Sequence, residues 1–102
     1  SMTTDVDIQI DEKIKQVSKE PSKYKVVFLN DNLTPMDWVI EILQKFFRHS
    51  RETAEYLTLT IHNEGSAVVG LYSYEIAEQK TTEATIATRD QGFPLVIKME
   101  KE

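Results

Sequence analysis

The apolar stripe that begins at Met36 constrains this chain more than any other feature. Met36, Val39, Ile40, Leu43, Phe46 and Phe47 recur at helical spacing and make one wide face. A helix of this length is marginal in water on its own, so such a face has to be buried against other elements. Start signals stand directly in front of it. Thr34 is a candidate cap, Pro35 suits the first helical position, and Asp37 completes a T-x-x-D pattern close to a capping box. Trp38 and Ile42 fall off the stripe and are expected to be partly exposed. The helix is expected to end near Arg48 and His49, whose side chains suit a helix C-terminus.

The partners of that face can be read along the rest of the chain. Tyr24 to Leu29 is rich in aromatic and β-branched residues, with Tyr24, Val26 and Phe28 on one side, and reads as a strand. It stops at Asn30-Asp31-Asn32, which is turn chemistry. Ser50 is a second helix cap, Ala54, Leu57, Thr58 and Ile61 give that helix its inward face, and Gly65 ends it. Ala67 to Tyr72 reads as a short buried strand. Ser73 is expected to cap a third helix through about Arg89, with a weak apolar stripe and a stop at Gly92. Leu95, Ile97 and Met99 alternate with Val96, Lys98 and Glu100, as in a half-buried strand.

The order strand, helix, helix, strand, helix, strand predicts a compact two-layer α+β domain, with three helices packed on one face of a three-stranded antiparallel sheet. A chain of 102 residues has room for one such core. Residues 1–22 differ: they hold no glycine or aromatic residue, mix acids with lysines, and end at Pro21-Ser22. They are expected to form a flexible tail ahead of a domain over residues 23–102. The alternation Val6, Ile8, Ile10 could support a transient strand there. Ser1 ahead of Met2 reads as a residue left by cloning.

Composition narrows the chemistry. There is no cysteine, so disulfides and thiol catalysis are excluded. The net charge of −5 disfavours nucleic acid, which needs clustered Lys and Arg. No apolar run approaches the ~18 residues of a membrane span. A cytosolic or organelle-stromal protein is the expectation. Neither a metal nor any other cofactor is expected, because the only histidines, His49 and His62, match no helical metal pair. A glycine-rich phosphate loop and a G-x-S-x-G nucleophile elbow are both missing. An enzyme is therefore not expected.

Two features remain. One is the run Asn30-Asp31-Asn32-Leu33-Thr34-Pro35-Met36, which could be no more than a capped strand-to-helix turn. The other is His62, near the end of the second helix, which could be a solvent-facing capping residue. Thr58 and His62 stand at i and i+4 and share a helix face.

Taken together they carry a resemblance. The run L-N-D-N-x-T-P-M-D-x-V-I-x-x-L-Q-K-F-F over Leu29–Phe47 resembles the signature region of the ClpS adaptor family. Further matches follow in order: I-H-x-x-G at Ile61, V-V-G at Val68, E-I-A-E-x-K at Glu75 and F-P-L at Phe93. The resemblance covers residues 22–102. It implies a non-enzymatic adaptor, a bacterial cytoplasmic monomer, with the plastid stroma as second choice. Such a protein would bind substrate proteins that begin with Leu, Phe, Tyr or Trp and deliver them to the N-terminal domain of a ClpA-type or ClpC-type unfoldase. It implies that Asn30, Asp31 and His62 hold the α-amino group. Thr34, Met36, Val39, Thr58, Ile61 and Leu95 would line the apolar pocket, and Glu75 and Lys80 would contact the unfoldase. The tail would serve delivery. Two positions depart from the family pattern: Asn32, at the pocket mouth, where Asp is common, and Thr58, where Met is usual. The alternative is a general protein-interaction module, since the element order also resembles the C-terminal domain of the ribosomal stalk protein.

Overall fold

The computed structural model describes residues 22–102, so all of the expected tail except Ser22 lies outside the described residues. Three strands and three helices follow in the expected order: β1 Tyr24–Leu29, α1 Met36–Lys45, α2 Arg51–Glu64, β2 Ser66–Tyr72, α3 Tyr74–Asp90 and β3 Val96–Lys101. The sheet runs β2-β1-β3, and both pairs are antiparallel. β1 is therefore central. Val26 and Phe28 point from it into the core and are fully buried, and the Phe28 ring meets Phe47 edge-on at 5.4 Å. Val39, Ile40, Leu43, Ala54, Ile61, Ala77, Ala84, Leu95 and Ile97 complete one core between the helices and the sheet.

The departures from expectation have local causes. The first helix begins at Met36 rather than Pro35, so Pro35 takes the cap position expected for Thr34, and it makes no side-chain cap. The Thr34 hydroxyl donates to the Asp31 carboxylate, and Asp37 stays exposed. Ser73 precedes α3 without a side-chain cap, whereas Ser50 does accept from the Thr53 N–H, at 3.1 Å. Ile42 is buried rather than exposed, because α3 lies across that side of α1. The Trp38 indole marks the contact: its N–H donates to the Thr88 hydroxyl at 3.1 Å.

α1 also stops earlier than its apolar spacing suggests, at Lys45. Arg48 then takes a left-handed backbone (φ 58°), and the His49 N–H returns to the Leu43 carbonyl at 3.1 Å. The Lys80 ammonium donates to the Phe46 carbonyl at 2.8 Å, which satisfies another terminal acceptor. His49 Nε2 lies 2.6 Å from the Val69 carbonyl and fastens this corner to β2.

β2 is an edge strand, so it is not buried as its composition suggests. Among its residues only Val69 is buried, at a bulge opposite Val26 and Val27, while Val68 and Leu71 face solvent. Gly70 leaves the space that the Tyr72 ring fills.

Candidate functional site

The turn between β1 and α1 is organised by one side chain. Asp31 Oδ1 accepts the backbone N–H groups of Leu33 and Thr34, both at 2.8 Å, and Oδ2 accepts the Thr34 hydroxyl at 2.9 Å. This is an Asx-type turn, in which an acidic side chain takes the place of a backbone acceptor. An ionised carboxylate has about four lone-pair sites. Three are used here, which leaves one on Oδ2.

Burial acts most strongly on the Asp31 pKa and raises it. The Leu33 and Thr34 N–H groups, the Thr34 hydroxyl and the Arg89 guanidinium act the other way, and together they hold the carboxyl below its ordinary value. Asp31 is an anion throughout the neutral range.

The next wall comes from α2. Thr58, Ile61 and His62 lie on its last two turns and face the same cavity as the Asp31 turn. Gly65 closes the helix in the left-handed region (φ 93°), a conformation that only glycine adopts readily. Its carbonyl accepts the Asn30 N–H at 2.9 Å. That bond sets the end of β1 beside the end of α2, and so brings Asn30 and Asp31 to His62. The Thr58 hydroxyl donates to the Ala54 carbonyl one turn earlier, at 2.7 Å. Its polar atom is thereby satisfied, and Thr58 offers the cavity a methyl group.

The remaining wall is apolar. Val39 and Leu95 are buried, and Met36 is 40 % exposed at the rim. Leu95 comes from the loop before β3. Trp38 packs on Phe93 in the same loop, with ring centroids 5.9 Å apart. The cavity is small, about 40 Å³.

Nine residues that the sequence singled out line this one cavity: Asn30, Asp31, Thr34, Met36, Val39, Thr58, Ile61, His62 and Leu95. Asn32 is exposed and does not line it. Glu75 is exposed in the first turn of α3, and Lys80 lies half-buried further along that helix. Lys80 is already engaged: besides its bond to Phe46, its ammonium sits 5.4 Å from the Tyr72 ring centroid and 6.0 Å from that of Phe47. Arg89, which bonds to the carbonyls beside Leu95, was not among the sequence candidates. Its signal is faint, because a cation in the last turn of a helix reads as ordinary dipole complementation.

Chemically the cavity has two halves. Asn30, Asp31 and His62 supply hydrogen-bond acceptors and one negative charge. Met36, Val39, Ile61, Leu95 and the Thr58 methyl supply apolar surface. Among the described residues no group of three metal-ligating side chains occurs.

Fold and site together define a small α+β domain with an amphipathic pocket at the end of its central strand. The chain belongs to the ClpS family: the family model described as ATP-dependent Clp protease adaptor protein ClpS matches residues 19–98. It is 43 % identical over 91 residues to the ATP-dependent Clp protease adapter protein ClpS of Erwinia tasmaniensis, covering 89 % of this chain and 86 % of that one. The Escherichia fergusonii adapter protein of the same name is 40 % identical over 97 residues, covering 95 % and 92 %. Among solved structures, Agrobacterium tumefaciens ClpS2 bound to L-phenylalaninamide superposes with a TM-score of 0.79 at 42 % identity. That match covers 81 % of this chain and all of the other.

The lowered Asp31 pKa has a consequence for stability. The carboxylate contributes fully above the unfolded-state value of about 3.9, and its contribution is lost as pH falls through the lower folded value. Asp31→Asn keeps an acceptor for the two backbone N–H groups and removes the titration. As pH falls below about 4 the thermal midpoint of the wild type should therefore fall more steeply than that of the variant. Melts at half-unit pH steps measure this, and parallel curves would mean that the Asp31 charge does not support the turn.

Proposed function

We propose that this chain is an N-degron adaptor. It binds the first residue of a protein that begins with a bulky apolar side chain (Leu, Phe, Tyr or Trp). It then delivers that protein to a Clp-type AAA+ unfoldase–protease in the bacterial cytoplasm, and itself breaks no bond. The observation that carries this reading is the convergence of Asn30, Asp31 and His62 with an apolar wall on one cavity. The phenylalanine amide bound by the Agrobacterium relative has the matching chemistry, a free α-amine next to an aromatic side chain.

An α-ammonium has three donors and one positive charge. The open lone pair on Asp31 Oδ2 takes one donor and the charge, while the Asn30 amide oxygen and a ring nitrogen of His62 take the others. Charge-assisted bonds of this kind contribute about 1.5–3 kcal/mol each. Burial of a Leu or Phe side chain adds about 1.5–3 kcal/mol. After the cost of association, an affinity on the order of 1 μM, about −8.2 kcal/mol, is expected. The resting cavity, about 40 Å³, is too small for a large side chain. Met36 is the wall residue with the freedom to move aside, being flexible and part-exposed.

Delivery uses other surfaces. The monomeric domain, residues 23–102, presents the start of α3 to the unfoldase N-terminal domain, with Glu75 as the free contact. Lys80 contributes while it holds the end of α1. Residues 1–22 act as a tail in hand-over and not in ligand binding.

Three expected outcomes test this. A Phe-initiated peptide should bind at least tenfold more tightly than its N-acetylated twin in fluorescence anisotropy, since acetylation removes the charge that Asp31 pairs. Equal affinities would sink the amine-pocket reading. Thr58→Met should weaken Ile- and Val-initiated peptides several-fold and leave Leu and Phe nearly unchanged, because a longer wall clashes first with a branched β-carbon. A wild type that already rejects Ile and Val a hundredfold would show that Met36 or Ile61 does this work. Deleting residues 2–18 should leave peptide affinity within about twofold yet slow degradation of a Leu-tagged reporter by a ClpA-type protease. Delivery at full rate would remove the tail from the mechanism.

A further inference from the structure

The Arg89 side chain, in the last turn of α3, bridges a turn that the pocket depends on. Its Nη1 donates to the Phe93 carbonyl at 2.9 Å and to the Leu95 carbonyl at 2.8 Å. Between them stands Pro94, which has no N–H to tie the segment down. The chain enters this turn through Gly92, which has a left-handed backbone (φ 81°). Two backbone bonds hold the entry: the Gly92 N–H to the Arg89 carbonyl at 2.9 Å, and the Phe93 N–H to the Thr88 carbonyl at 3.2 Å. Sheet pairing resumes only at Val96, opposite Leu29. Leu95 lies in the gap between the two anchors. Its side chain is 1 % exposed and forms part of the apolar wall.

Arg89 itself is exposed, so solvent could serve its guanidinium equally well. What it gives the fold is local. It gathers two carbonyls that flank a proline onto one planar cation, which fixes the backbone on both sides of Leu95. The same charge contributes to the low pKa of Asp31 across the cavity.

We propose that Arg89 is a positioning residue of the pocket: by clasping the Phe93 and Leu95 carbonyls it holds Leu95 as the apolar wall that selects the first side chain. The proposal rests on the adaptor reading above. It assigns selectivity to a residue that need not touch the ligand.

The test compares Arg89→Met, which keeps the aliphatic stem without donors, and Arg89→Lys, which keeps charge and a donor. Each is titrated with peptides that begin with Phe or Ala and with the acetylated Phe peptide. Arg89→Met should weaken the Phe peptide about fivefold or more and the Ala peptide less than twofold, so the Phe-to-Ala ratio shrinks. Arg89→Lys should recover most of that ratio. The emission of Trp38, the single tryptophan, should shift in Arg89→Met as Phe93 loosens against it. A Phe affinity within twofold of wild type in Arg89→Met would overturn the proposal. So would an equal loss for Phe and Ala peptides, the pattern of a merely weakened fold or of a purely electrostatic effect on the amine. A wild type that does not distinguish free from acetylated Phe peptide would instead overturn the adaptor reading, which keeps the two failures apart.

Discussion

The contact on which the pocket depends is the one between the Asp31 carboxylate and the turn it caps. Three donors from two residues, Leu33 and Thr34, converge on it, and they decide where the chain goes after β1. With the Asp31 turn running through Thr34, α1 starts at Met36, one residue later than its start signals suggest, and its first side chain falls on the cavity rim. Because the turn is made by a side chain that stays ionised, the same group that shapes the loop leaves a negative charge at its surface. One residue thus supplies both the acceptors that shape the turn and the charge at its surface. An amide in its place would retain part of the shape and lose the charge.

A second constraint makes the turn useful. An acceptor cluster on one loop would be an ordinary solvated surface. The bond from the Asn30 N–H to the Gly65 carbonyl changes that by fixing β1 against the end of α2. Gly65 can accept in that direction because its left-handed backbone turns the chain sharply at the helix end. Ile61, buried in the core, locks the face of α2 that also carries Thr58 and His62. The polar half of the site therefore rests on backbone hydrogen bonds and the apolar half on core packing. The two meet where the central strand ends.

Much of this was legible in the sequence, for identifiable reasons. The wide stripe from Met36 to Phe47 specified a helix on a sheet, and the alternation at Ile97 and Met99 specified which side of the last strand is wet. The cavity residues were legible only through the family resemblance, since each has an ordinary local explanation. What failed depends on contacts distant in sequence. Ile42 was misplaced because α3, some 45 residues onward, covers the flank of α1 that its own periodicity leaves bare. The second strand reads as buried because Val68, Val69 and Leu71 are apolar, but its position at the sheet edge follows from the pairing order. Thr34 has the residue type of a cap, but the Asp31 turn runs through it and the helix begins only at Met36, with Pro35 at the flanking position. Arg89 was passed over because its partners are backbone carbonyls, which no residue pattern marks.

The two halves of the pocket also differ in how sharply they can discriminate. Asp31, Asn30 and His62 present groups that a neutral, blocked terminus leaves unpaired, and an unpaired polar group in a closed contact costs the full desolvation of that group. Discrimination there is about 1–3 kcal/mol for each lost partner, and more where the lost partner is charged. The apolar wall discriminates by fit, where one methylene is worth about 1–3 kcal/mol and a flexible wall yields some of it. Met36, part-exposed at the rim, is the soft side, and Leu95, held from behind by the Arg89 clasp, is the firm side. A site built this way would favour a free amine and accept several large side chains in graded order. That asymmetry suits an adaptor that must prefer protein termini to internal sequences yet serve many different substrates.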